Sequence, residues 1–171
     1  MDTALAIASR RDERKTLADP LPDDVVRRLL DAGRLSGSSK NGQPWVFVVP
    51  RSRDRIEQLA RTVYVPENVL GAGLVIAILV AGKGPVAFDA GRAAQSILLA
   101  AWAEGLASCP NGIADAGAAR HALNASEEET PVIVLSFGLP AKPRDASLRT
   151  VAEWSERANR KPLGEVVRWL Q

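Results

Sequence analysis

The order of apolar and polar residues predicts helices that alternate with short buried strands. Apolar side chains recur at helical spacing in several segments, whereas three mainly apolar runs rich in β-branched residues have the length of buried strands. The predicted helices cover residues 2–11, 23–35, 52–63, 86–104, 115–123 and 163–170. The predicted strands cover residues 45–49, 74–80 and 132–138. This alternation predicts an α+β fold with a central, mostly antiparallel sheet flanked by helices.

The predicted helix at residues 86–104 differs from the others because it is apolar nearly all round. Its second half, "AAQSILLAAWAEGL", leaves no wide polar face for solvent. A helix of this kind belongs in a protein core or at an interface between subunits. The pattern therefore indicates either a central position or an association between chains.

A polar loop separates the second predicted helix from the first predicted strand. Residues 36–45 read "SGSSKNGQPW", which is longer than a simple connection needs. The hydroxyl, amide and backbone N–H groups of such a loop suit a polar ligand laid across it. The alternative is a turn that only reverses the chain.

The composition restricts the class of protein. With 171 residues, 46% of them hydrophobic and 25% charged, the chain predicts one globular domain over residues 1–171. The longest uncharged run, Val69–Gly82, would span about 20 Å as a helix, which is less than the roughly 30 Å of a bilayer core. Residues 1–15 place their basic cluster after the apolar part, the reverse of a secretory signal. We therefore expect a cytoplasmic protein without a membrane span.

A single cysteine and a single histidine limit metal and disulfide chemistry. Cys109 has no second cysteine to pair with, and with His121 alone it cannot complete a zinc site. The net charge of +2 is mild, so we do not expect nucleic acid as a partner. The densest basic cluster, "SRRDERK" at residues 9–15, is either a local anion site or a solvated helix end.

Five segments follow one another in an informative order. "RRDER" comes first, then "SGSSKNGQPWVFVV", "DAGRAAQSILLAAWAEGLAS", "SFGLP" and "NRKPLGEVV". This order resembles the nitroreductase family of flavin mononucleotide (FMN) enzymes over Ile7 to about Val167, and the Ser-Ser-x-Asn-x-Gln-Pro-Trp element is its most specific part. The resemblance implies a nitroreductase-like fold and an intertwined homodimer with flavin sites at the subunit interface.

The resemblance also implies which residues bind the cofactor. The basic cluster at residues 9–15 would serve the phosphate, the ribityl chain and the pyrimidine edge. Arg160 with Lys161 would add a phosphate contact. The polar loop would line the flavin, with Gln43 reaching the flavin of the partner subunit, and the Gly112 N–H would meet flavin N5. The implied cofactor-binding residues are Arg10, Arg11, Arg14, Ser38, Ser39, Asn41, Gln43, Asn68, Pro110, Asn111, Gly112, Arg160 and Lys161.

By the same resemblance the chain is an FMN oxidoreductase that takes hydride from NAD(P)H and reduces a small electron-poor acceptor, such as a nitroaromatic or a quinone. No side chain is needed as an acid or a base. Two features depart from the family pattern: Asp12 stands where a serine is common, and only "AGKGPVAFD" joins the central strand to the long helix. The short connection predicts an open site that accepts many compounds. The alternatives are another flavin reaction, such as reductive dehalogenation or flavin fragmentation, and a flavin carrier without turnover.

Overall fold

Helices and strands alternate along the chain as the apolar pattern predicts, in a computed structural model that describes residues 1–170. The strands are β1 (Trp45–Val48), β2 (Leu74–Val80), β3 (Ala107–Asn111) and β4 (Thr130–Gly138). The helices are α1 (Thr3–Ser9), α2 (Asp23–Arg34), α3 (Arg53–Ala60), α4 (Pro66–Leu70), α5 (Val86–Ala103), α6 (Ala116–Ala122), α7 (Val151–Arg157) and α8 (Leu163–Val166). These elements confirm the predicted α+β class.

The four strands form one antiparallel sheet in the order β1-β2-β4-β3. Trp45 at the start of β1 pairs with Val80, at the end of β2. Ala107 at the start of β3 pairs with Gly138, at the end of β4, and Asn111 at the end of β3 pairs with Val134, in the middle of β4. The start of β1 and the end of β3 therefore lie toward the same end of the sheet, on its two opposite edges.

Helices cover both faces of β2, which explains why its apolar run is uninterrupted. Ile76 and Ile78 belong to a core cluster that includes residues of α2 and α5. Val75 and Ala77 belong to a second cluster that includes residues of α3 and α4. Because successive side chains of a strand point to opposite faces, every position of β2 needs an apolar residue.

The long helix α5 has a buried face and an outer stripe. The buried face consists of Asp89, Ala90, Ala93, Ala94, Ile97, Leu98 and Ala101. The outer stripe follows helical spacing on the other side and consists of Phe88, Gly91, Gln95, Leu99 and Trp102, of which Leu99 and Trp102 are half-buried. Phe88 is 68% exposed. No helix within residues 1–170 is both long enough and apolar enough to cross a bilayer.

The chain divides into two units, residues 12–144 and residues 1–11 with 145–170. The larger unit contains the sheet and helices α2–α6. In the smaller unit α1 packs with α7, and Trp154 Nε1 donates a hydrogen bond to the Ala146 carbonyl at 2.9 Å. That residues 1–171 form a single domain stays a prediction, which the division into two units does not test.

The sequence pattern misses β3, whose segment "ASCPN" reads as a loop because it contains a proline. Proline lacks the N–H that a central strand needs, but β3 is an edge strand and tolerates it. On its outer edge, the Ser108 carbonyl accepts a hydrogen bond from the Glu13 N–H at 3.0 Å. The backbone at Glu13 thereby lies beside β3.

Three short helices also differ from the prediction. Helices α4 and α7 were not predicted, and the C-terminal helix is shorter than the expected residues 163–170 because α8 ends at Val166. Trp169 and Leu170 are 86% and 88% exposed, so no packing stabilises further turns. Short helices depend on caps and packing, which an apolar repeat does not reveal.

Candidate functional site

The predicted cofactor-binding residues of the larger unit fall mainly into two regions. The loop region, residues 36–43, runs into the start of β1, and the β3 region consists of Tyr64, Asn68 and residues 110–112. Because β1 and β3 are the edge strands of a four-stranded sheet, three strand spacings, roughly 14 Å, separate them. One chain therefore does not bring the two regions together.

The loop region is an exposed turn with an unusual backbone. Lys40, Asn41 and Gln43 have φ angles of 52°, 55° and 45°. Such left-handed conformations cost on the order of 1–3 kcal/mol each for residues other than glycine. Ser38 Oγ closes the turn by accepting a hydrogen bond from the Gln43 N–H at 2.9 Å. Five polar side chains of this turn are exposed or half-buried: Ser38, Ser39, Lys40, Asn41 and Gln43.

Asp89 of α5 holds the loop region, and the sequence analysis did not identify it. Its carboxylate accepts the Ser39 N–H at 3.0 Å, although Asp89 is only 2% exposed. The sequence did carry a signal, since Asp89 is the only charged residue on the otherwise apolar buried face of α5. A single carboxylate on the buried face of a helix lowers the stability of the fold unless it is hydrogen-bonded or paired.

An open groove of about 970 Å³ lies beside the loop region, lined by α2, β1 and Gln43. The rings of Trp45 and Phe47 are part of its apolar wall and stack with centroids 6.4 Å apart. Arg28 donates to both oxygens of Glu104, at 2.9 and 2.8 Å. Glu104 and the carboxylate of Asp24 together raise the pKa of the Arg28 guanidinium. The groove therefore combines apolar walls with basic residues.

Two polar side chains of the β3 region, Asn68 and Asn111, are buried and bonded to one another. Asn111, 4% exposed, donates through Nδ2 to the Cys109 carbonyl at 3.0 Å, the Val134 carbonyl at 3.2 Å and Ser136 Oγ at 3.1 Å. Its Oδ1 accepts a hydrogen bond from Asn68 Nδ2 at 2.9 Å. The Asn111 side chain is thus fully used by the fold, and Asn68 is tied to the end of β3.

Gly112 follows directly and presents bare backbone. Gly112 is exposed, and its carbonyl accepts a hydrogen bond from the Tyr64 N–H at 3.1 Å. A Cβ at this position would lie 3.1 Å from Tyr64 Cδ2, so a side chain would crowd the ring. Tyr64 itself is 74% exposed. Pro110, just before, is half-buried within β3.

Arg14 lies beside the same edge strand. Its neighbour Glu13 donates its N–H to Ser108, as described above, and accepts an ion pair from Arg144 at 3.1 Å. Arg14 and Asp12 are both exposed. The structure therefore places one of the predicted arginines along the outer edge of β3.

The other basic residues with a predicted cofactor role belong to the smaller unit. Arg11 donates to the Ala8 and Trp154 carbonyls at 2.6 and 3.0 Å, which ties the end of α1 to α7. Arg10 is half-buried, whereas Arg160 and Lys161 are exposed, beyond the end of α7. Arg11 thus has a structural role within its own unit that the sequence did not predict.

Comparison with known proteins identifies the family. The family model described as "Nitroreductase family" matches residues 7–77 and 82–139. The chain belongs to the nitroreductase family. The match includes both regions and ends before Arg160 and Lys161. A relative from Methanothermobacter thermautotrophicus, named as an NADH dehydrogenase/NAD(P)H nitroreductase, is 28% identical over 153 residues, covering 83% of this chain and 79% of its own.

Solved structures of the nitroreductase family share the fold. A family protein from Clostridium difficile superposes with a TM-score of 0.84 at 19% identity, covering 100% of this chain and 99% of its own. A protein from Desulfovibrio desulfuricans, named as a nitroreductase and solved in complex with FMN, has a TM-score of 0.75 at 25% identity, covering 100% of this chain and 98% of its own.

Proposed function

We propose that this nitroreductase-family chain is an FMN-dependent oxidoreductase that uses NAD(P)H as the reductant. The family match across both regions is the observation that carries the proposal. Two further findings support it: relatives at 27–28% identity bear the name NAD(P)H nitroreductase, and a structure at 25% identity was solved with FMN. An electron-poor acceptor, a nitroaromatic or a quinone, completes the proposed reaction.

The residues of the β3 region fit a flat, polar-edged cofactor. At Gly112 the absence of a Cβ leaves room for a ring to approach the backbone, and Tyr64 closes one side of that space. The hydrogen bond from Asn68 to Asn111 fixes the Asn68 amide at the edge of the same site. When bound, FMN supplies hydride transfer at its N5 atom.

The chain's own residues would bind and orient the cofactor without exchanging protons with the substrate. We assign Gly112 N–H and the Asn68 amide to the flavin ring, and Arg14 to a negatively charged part of the cofactor, since guanidinium groups bind anions through forked hydrogen bonds. Arg10 stays a predicted cofactor ligand, and Arg160 and Lys161 stay predicted phosphate ligands. Arg11 is expected to contribute least because its guanidinium already binds main-chain carbonyls.

We further propose a homodimer in which the loop region of one subunit completes the site of the other. The separation of the two regions on opposite sheet edges supports this arrangement, because within one chain three strand spacings, roughly 14 Å, lie between them. The outer stripe of α5, with Phe88 68% exposed, offers an apolar surface for the partner. Ser38, Ser39, Asn41 and Gln43 would then face the partner's flavin.

Absorption and turnover test the proposal together. Purified protein, reconstituted with FMN where necessary, is expected to show flavin absorption and to oxidise NADH or NADPH steadily when menadione or nitrofurazone is present. Failure to bind FMN at micromolar concentration would overturn the proposal. Tight FMN binding without any turnover would favour a flavin carrier instead.

The connection between β2 and α5 bears on acceptor choice. It spans only residues 81–85, so it adds no helix over the site. A site with few contacts to remote parts of a substrate gains little energy with which to discriminate. We therefore propose broad acceptance, and a panel of acceptors compared by kcat/KM tests it: a preference above about a thousandfold, or roughly 4 kcal/mol, for one compound would contradict an open site.

A further inference from the structure

Three polar side chains of α5 face the loop region in order. Asp89, Arg92 and Ser96 lie at positions i, i+3 and i+7, so they share one side of the helix. Asp89 accepts the Ser39 N–H at 3.0 Å, and Ser96 Oγ accepts a hydrogen bond from Ser36 Oγ at 2.8 Å. Between these contacts, the guanidinium of Arg92 lies against Gly37, where a Cβ would require the Arg92 side chain to move.

Asp89 is the buried member of this set. Its side chain is 3% exposed, and the nearest cation is Arg92, whose Nη1 lies 3.6 Å from Oδ1 and whose side chain is 45% exposed. A buried carboxylate lowers the stability of the fold unless its oxygens are hydrogen-bonded or paired with a cation. In Asp89 one carboxylate oxygen accepts the Ser39 N–H, and the other faces Arg92. The apolar packing of the buried face of α5 does not explain why an acid stands at this position.

The loop region needs such support because its own structure is weak. Three of its residues have left-handed φ angles, and its side chains are largely exposed. Strained backbone persists only where its surroundings hold it in place. The contacts from α5 are at Ser36, Gly37 and Ser39, immediately before the strained residues.

We propose that Asp89, supported by Arg92 and Ser96, is a positioning residue that presets the loop region for the cofactor without touching it. This inference rests on the proposed FMN function. A loop that is already ordered loses less conformational entropy when a ligand binds, so affinity rises without any added contact. Asp89 therefore acts on flavin binding through the Ser39 N–H.

The first test needs no cofactor. Hydrogen exchange of the apoprotein, resolved at the Ser39 amide, compares wild type with Asp89→Ala and Asp89→Asn. Asparagine still offers an oxygen to the Ser39 N–H, so we expect exchange close to wild type in Asp89→Asn and at least about tenfold faster exchange in Asp89→Ala. An unchanged exchange rate at Ser39 in Asp89→Ala would show that Asp89 does not anchor the loop region.

The second test measures FMN affinity by fluorescence quenching on the same proteins. We expect Asp89→Ala to weaken FMN binding at least about tenfold and Asp89→Asn to stay within about threefold of wild type. Asp54→Ala is the matched control, because Asp54 is also an acid in the first turn of a helix but is exposed on α3. Ser96→Ala, a smaller change on the same side of α5, provides the comparison if Asp89→Ala does not fold.

The two tests separate the inference from the proposed function. If wild type does not bind FMN, the proposed function fails, and the exchange at Ser39 still decides whether Asp89 anchors the loop. If wild type binds FMN and Asp89→Ala releases the loop with unchanged affinity, the positioning role is wrong. Faster exchange together with weaker binding, both rescued by asparagine, supports it.

Discussion

The loop region and the β3 region are built in opposite ways. In the β3 region the side chains of Asn68 and Asn111 are buried, and Asn111 makes four hydrogen bonds within the fold. In the loop region the side chains are exposed, and the fold instead holds the backbone through Asp89. A polar residue in a candidate site is therefore free to bind a ligand only where the fold does not consume its hydrogen bonds.

Separating the subunits should have the largest effect on this comparison. Phe88→Glu would place a carboxylate in the proposed apolar interface, so we expect folded monomers and at least about a hundredfold loss of FMN affinity, although neither region carries a substitution. Sedimentation velocity and FMN titration measure the two effects. Gln58→Glu, which adds the same charge on an exposed position of α3, should leave both unchanged. A folded Phe88→Glu monomer that binds FMN fully would show that one chain is sufficient.

Removing the Asn111 side chain should affect stability before binding. Asn111→Ala removes the donor to the Val134 carbonyl and Ser136 Oγ and the acceptor of Asn68 Nδ2, and we expect the free energy of unfolding to fall by about 3 kcal/mol and Tm to fall by about 6–12 °C. Ser39→Ala is the counterpart in the loop region, where the side chain is exposed and the backbone N–H and carbonyl make the hydrogen bonds. Thermal unfolding should show little change for Ser39→Ala, and equal losses in both variants would refute the contrast.

Replacing the predicted phosphate and pyrimidine ligands should change binding and not stability. We expect Arg10→Ala, Arg14→Ala and Arg160→Ala each to weaken FMN binding by roughly 10- to 150-fold, since a charge-assisted hydrogen bond contributes about 1.5–3 kcal/mol. Lys142→Ala removes one exposed positive charge elsewhere and serves as the control. Equal FMN affinity in all three arginine variants would mean that the charged ends of the cofactor lie elsewhere.

The smallest effect is expected outside both regions, at the cap of α7. The Thr150 N–H and hydroxyl bind the Glu153 carboxylate, at 2.7 and 2.8 Å, and lower the pKa of Glu153 from its ordinary value of 4.5. A lowered pKa stabilises the fold fully above pH 4.5, and this contribution is lost as the pH falls through the folded-state pKa. The free energy of unfolding of Glu153→Gln should therefore be lower than that of wild type near neutral pH, and this difference should shrink in acid. A difference that grows in acid would contradict this sign.

The sequence predicts most of the fold because its strongest patterns are long and regular. Strand β2 is found at the predicted residues 74–80, and α5 ends one residue earlier than predicted. Ser52 caps α3 by accepting a hydrogen bond from the Arg55 N–H, in keeping with the predicted start of that helix. The edge strand β3 escaped prediction because Pro110 contradicts the usual strand pattern, and only pairing with β4 reveals it.

The candidate site was less accessible to sequence reasoning. Residue types and order identified the loop region and the segment around Gly112, but they could not show that the two lie on opposite edges of the sheet, because strand order is a property of the folded chain. They also could not distinguish Asn111, whose amide serves the fold, from Asn41, whose side chain is exposed. Asp89 was overlooked because its role depends on a contact 50 residues away in sequence.

Subunit complementation tests most directly the claim that one flavin lies between the loop region of one chain and the β3 region of another. One variant carries Ser38→Ala, Asn41→Ala and Gln43→Ala, and the other carries Gly112→Val, which fills the space beside Tyr64. Each homodimer should bind little FMN. A heterodimer purified through two different tags should recover about one FMN per two chains, because one of its two symmetric sites combines the intact regions. A heterodimer that binds no more FMN than the homodimers would contradict the account.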